Sequence, residues 1–145
     1  MNEVLDLTVF PMHVEFRVED VCIIPIEVNP MRFAGLSCTD IAYYAYGINT
    51  VDYFLQQKTP DFKEILKEKE GKLYSLVVLD KKEDSIPCSL FDYDKLVNDF
   101  EHVLALRKVD TPALNIFGFL FLETSKENAS ELDRILCSDL MEYVI

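Results

Sequence analysis

Residues 114–123, Leu-Asn-Ile-Phe-Gly-Phe-Leu-Phe-Leu-Glu, hold three phenylalanines and carry no charge before the closing glutamate. A segment this apolar has to leave water, yet it is far shorter than the roughly 20 residues a helix needs to span a bilayer. Its short length and aromatic content predict a strand, the central one of a sheet. Thr111-Pro112 ends the element before it, because a proline ring disfavours the helical conformation in the preceding residue.

Other segments take their places around this strand. Val14, Phe16 and Val18 alternate with Glu15 and Arg17, and residues 21–28 are rich in β-branched side chains. Strands are therefore predicted over 3–10 and 13–28, as a hairpin or two edge strands. Pro11 and Pro25 cannot donate to a ladder, so each should mark an edge, a bulge or a break. Two short helices are predicted between 39 and 57, interrupted at Gly47 and Asn49-Thr50. A further helix should start at Thr59-Pro60, bury Phe62, Ile65 and Leu66, and stop at Gly71. Residues 72–80 read as a buried strand and 81–84 as a charged turn. A helix over 92–108 would align Leu96, Val97, Phe100, Val103 and Leu104. Asn128 and Glu131 resemble a capping box opening a last helix with Leu132, Ile135, Leu136, Leu140, Tyr143 and Val144 on one stripe.

This order predicts one α+β domain over residues 1–145, with a single mixed or mainly antiparallel sheet and helices packed mainly on one face. A chain of 145 residues with 50% hydrophobic and 28% charged residues can build its own core without disulfides or metal. Cys22, Cys38, Cys88 and Cys137 form no CxxC pair, which fits reduced thiols in a cytoplasm. No export signal is expected, since Glu3 and Asp6 stand where such a signal needs basic residues.

Charge is the main compositional hint of function. The net charge of −12 repels phosphate backbones and anionic membranes, and it favours encounter with a basic protein. Residues 1–20, 80–101 and 123–142 each contribute a net charge of −4, which accounts for the whole excess. Three such segments on one surface would form a docking site.

Motifs for chemistry are sparse. His13 and His102 lack ligand spacing, so neither a metal nor any other cofactor is expected. Asp92, Asp94 and Asn98 fall short of a calcium loop because the turn glycine is missing; Asp92 is better read as a helix cap. Cys38 precedes a helix start but has no histidine base nearby in sequence, which leaves it a weak nucleophile candidate. The four glycines form no phosphate-binding loop. Tyr43, Tyr44 and Tyr46 offer contact area with polar tips, although helical spacing cannot send all three to one face.

The resulting expectation is a non-catalytic, cytoplasmic protein-binding domain that neutralises or regulates a basic partner. Its sharpest form is an immunity protein for a toxin nuclease. Asp80, Glu83, Asp84, Asp92, Asp94, Asp99 and Glu101 would steer the partner, with Tyr43 and Tyr46 as anchors. One alternative is a structural or adaptor subunit whose apolar edge pairs with a neighbour, a reading that a lasting homo-oligomer would favour. Another is an enzyme or ligand-binding protein with a pocket at Cys38, Tyr43 or His102.

Overall fold

The computed structural model describes residues 9–82, 86–111 and 113–145. Its elements in chain order are β1 (Met12–Glu19), β2 (Cys22–Pro30), α1 (Asp40–Tyr46), α2 (Thr50–Leu55), α3 (Phe62–Ile65), β3 (Lys72–Asp80), α4 (Tyr93–Asn98), β4 (Val103–Lys108), β5 (Ile116–Ser125) and α5 (Ser130–Cys137). Short 3-10 turns occur at Cys88–Leu90, Lys126–Asn128 and Leu140–Tyr143. The fold is α+β with antiparallel strands.

β5 is the central strand, flanked by β3 and β4 and antiparallel to both. Its side chains are buried on both faces, which is why the sequence there is continuously apolar. Phe117, Leu120 and Leu122 pack with Leu79, Leu96, Ile135 and Tyr143 on one face. Ile116, Phe119 and Phe121 pack with Ile41, Tyr44, Leu76 and Leu104 on the other. Simple alternation would put Phe117 with Phe119. A bulge intervenes, because Leu79 pairs with Gly118 but Asp80 with Ile116, leaving Phe117 as the extra residue. The inserted residue flips the alternation and turns Phe117 onto the face of Leu120. Gly118 is required there for space: a Cβ would lie 2.4 Å from the Arg107 carbonyl oxygen of the paired strand.

Both short helices between 39 and 57 form as expected. Gly47 closes α1 in the left-handed conformation at φ 72°, and the Asn49 side chain caps α2 by accepting from the Val51 and Asp52 amides. α1 lies on the sheet through Tyr44, whose ring is 4.6 Å from that of Phe121. α4, α5 and the C-terminal turn cover the opposite face.

Several helices are shorter than their patterns predict. The one expected from Thr59-Pro60 to Gly71 is a single turn, capped by Asp61 rather than Thr59. Phe62 and Leu66 remain exposed there, so no tertiary contact extends it. The predicted helix over 92–108 is corrected more sharply: α4 ends at Asn98 and residues 103–108 form β4. Leu96 and Phe100 do reach the core, but pairing β4 with the open side of β5 satisfies a row of backbone groups that a longer helix would leave bare. The last predicted helix also divides, into α5 and a 3-10 turn capped by Asp139, leaving Leu136 67% exposed.

The strands, expected in one sheet, are divided between two. β1 and β2 form a separate hairpin joined through Asp20 and Val21, with Asp20 at φ 51°. Pro25 sits at a bulge where Glu15 pairs with Glu27 but Phe16 pairs with Pro25, as its missing N–H requires. Most of the strand predicted over 3–10 lies outside the described residues, as does part of the turn over 81–84.

Candidate functional site

Cross-strand partners share a face, so the register assigns every hairpin side chain to a side. Met12 pairs with Pro30, Val14 with Val28, Phe16 with Pro25 and Val18 with Ile23. This face carries no charge. The opposite face pairs His13 with Asn29, Glu15 with Glu27, Arg17 with Ile24 and Glu19 with Cys22. The bulge maintains the division: with Ile26 as the extra residue, Pro25 and Ile23 return to the side of Val28.

An apolar sheet face is normally covered by another layer. Here Met12 is 54% exposed, Phe16 55%, Val18 68% and Ile23 67%. Among the described residues, the base of the hairpin approaches the rest of the chain. There Met12 and Val14 join Phe33, Tyr46, Ile48 and Phe62 around an apolar groove of about 590 Å³. The hairpin therefore projects with an open, uncharged apolar face.

One family model, described as an ATP-grasp domain, matches residues 1–40. That span contains the hairpin but is a minor part of 145 residues. It has no lysine and a single glycine, Gly35, so it lacks both a phosphate-binding cation of that type and a glycine-rich loop. No curated protein and no solved structure matches the chain.

Asp80 and Glu101, the first and last of the acidic residues singled out from the sequence, lie at opposite ends of the three-stranded sheet. Asp80 ends β3 at the same end of the sheet as Ile116. Glu101 and His102 lie at the other end, where the His102 carbonyl accepts from the Glu123 amide. Glu123 pairs with Tyr74, six residues before Asp80, which sets the two ends roughly 20 Å apart. Asp92 caps α4 by accepting from the Lys95 amide at 2.9 Å, and Asp94 is exposed in its first turn. Asp99 closes that helix and is held by Tyr143 and Arg134. Those two bonds keep its carboxyl below the usual range, Tyr143 having the larger effect. Glu83 and Asp84 lie outside the described residues.

The tyrosines separate as their spacing requires. Tyr44 is committed to the core, Tyr43 is exposed, and Tyr46 is half-buried in the wall of the groove. Cys38 is exposed in a turn whose amide donates to the Gly35 carbonyl. His102 borders a polar cleft of about 320 Å³ with Lys72, Glu101, Glu123 and Glu131. Lys72 lies 2.8 Å from Glu123 and holds that carboxyl below its ordinary range, assisted by Tyr74. Among the described residues no group of three or more His, Cys, Asp or Glu side chains is arranged to hold a metal ion. No described helix is long and apolar enough to cross a membrane.

Sequence reasoning missed the open hairpin face. The alternation of Val14, Phe16 and Val18 was a sufficient signal for the face, but the same pattern would be written for a strand packed inside a domain.

Proposed function

We propose that this chain is a non-catalytic protein-binding domain with the β1–β2 hairpin as its docking arm, serving as a structural or adaptor subunit of a larger assembly. The uncharged face of Met12, Phe16, Val18 and Ile23, exposed in the chain by itself, carries this reading. Contiguous exposed apolar surface of this kind marks interaction sites. The free cysteines fit a reducing compartment, and we place the protein in the cytoplasm.

A second reading, neutralisation of a basic partner such as a toxin nuclease, is favoured by the net charge of −12 and by the exposure of Asp80, Asp94 and Glu101. It calls for a partner that engages one end of the sheet, given the separation of Asp80 from Glu101.

Affinity capture from the native cell, run in parallel with the natural chain and with a variant carrying Phe16→Asp and Val18→Asp, tests the first reading. Proteins retained by the natural chain and lost by the variant are the expected result. Equal retention by both would remove the hairpin as the docking arm. Loss caused instead by moderate salt, with the variant still binding, would shift the conclusion to the basic partner.

A further inference from the structure

Building on the docking role of the hairpin, we infer that the occupant of its apolar face is a second copy of this chain, the two hairpins packing face to face about a two-fold axis. Three observations carry this. First, the face is self-complementary in chemistry: Met12, Val14, Phe16, Val18, Ile23, Pro25, Val28 and Pro30 include no charge or side-chain hydrogen-bonding group other than the thioether. A basic partner would find no carboxylate on it.

Second, the hairpin's acids are placed to remain in water in such a pair. Glu15, Glu19 and Glu27 belong to the opposite face and Asp20 to the turn. Face-to-face packing, with sheets about 10 Å apart, leaves these carboxylates pointing away from the interface on both copies. Like-charge repulsion then acts only between the two bodies, across solvent.

Third, the area reaches what a specific pair needs. The exposed surface of Met12, Phe16, Val18, Ile23 and Val28 amounts to roughly 500 Å² per copy, so its full burial in a pair gives about 1,000 Å², the threshold for a specific interface. A two-stranded hairpin is marginal in water alone, and a second hairpin supplies the missing layer. The same residues occur on both sides of a two-fold interface, so each copy provides what the other lacks.

Sedimentation velocity of the purified full chain, from about 1 to 100 µM and in about 0.05 and 0.5 M sodium chloride, tests this. A monomer–dimer equilibrium is expected, with dimer favoured by the higher salt because screening removes repulsion between bodies of charge −12 while leaving apolar contact intact. Phe16→Asp with Val18→Asp should raise the dissociation constant more than about 100-fold. Glu27→Gln, on the opposite face, should not weaken the dimer. Near-ultraviolet circular dichroism separates loss of pairing from loss of fold, since Phe16 and Val18 lie outside both core clusters.

A chain that stays monomeric at both salts overturns the inference, and so does a dimer indifferent to the Phe16 and Val18 substitutions. The docking reading itself fails separately, through equal capture of cellular proteins by the natural chain and the variant.

Discussion

The Tyr143 hydroxyl donates to Asp99 Oδ2 at 2.7 Å, binding the C-terminal turn to the end of α4 across 44 residues of sequence. Arg134 Nη2 lies 2.9 Å from the same oxygen and adds α5 to the junction. Two apolar contacts support it: Tyr143 packs against Phe91, and Ile135 enters the same core cluster. The sheet face beneath α4 and α5 is closed by this polar clasp.

Tyr143→Phe keeps the ring and removes the donor. Because the hydroxyl donates to a carboxylate, the substitution should cost about 1–3 kcal/mol in urea unfolding. Arg134→Ala should cost less, about 0–1 kcal/mol, since that side chain is half-exposed and its charge is screened.

Acid and alkali should weaken the fold by separate routes. The Asp99 and Glu123 carboxyls are held below their ordinary values in the folded chain. Their contribution is present above the unfolded carboxylate pKa and is lost as pH falls through the folded values. Asp99→Asn should therefore flatten the acid limb of the thermal midpoint. Tyr74, Tyr93 and Tyr143 are pushed up to about 12, chiefly by burial. Stability from these groups is intact below about pH 10 and falls as pH rises toward 12. Tyrosinate absorbance should show them titrating later than free tyrosine.

Gly118→Ala places a methyl group against the Arg107 carbonyl, a backbone atom that cannot swing aside. We expect a loss of about 1–3 kcal/mol, with β4 displaced from β5. Faster hydrogen exchange at the β4 amides is the matching observation. Unchanged exchange and stability would mean that the two strands are farther apart than described.

Core and hairpin should respond oppositely to truncation. Phe121→Ala opens a cavity at a fully buried position and should cost about 3–5 kcal/mol. Val18→Ser, on the open face, should change the stability of the isolated chain by less than about 0.5 kcal/mol. A large loss at Val18 in dilute protein would show that the face is already covered within one chain.

Asp92→Ala separates capping from docking. Loss of the side-chain acceptor for the Lys95 amide should cost about 1 kcal/mol. If Asp92 steers a basic partner, association must also slow and lose salt dependence; a pure cap leaves both unchanged.

Much of the architecture could be read locally. The charge-free run of 114–122 required a buried central strand, Gly47 ended a helix because it takes a positive φ, and Pro25 forced an irregularity in β2. Such features follow from side chains and backbone angles that neighbours in sequence determine. Of the candidate site, the alternation that makes one face of the hairpin apolar was equally legible.

Tertiary structure alone decided the rest. Residues 103–108 have helical spacing of leucine and valine, yet they became a strand because β5, far along the chain, had backbone groups to satisfy. Phe117 changed faces through a bulge fixed by pairing with β3. The hairpin was left outside the three-stranded sheet, which turned an ordinary alternating pattern into an open surface. Side-chain period is written in the sequence, whereas which backbone edge is paired and which face is covered depend on the contacts of segments distant along the chain.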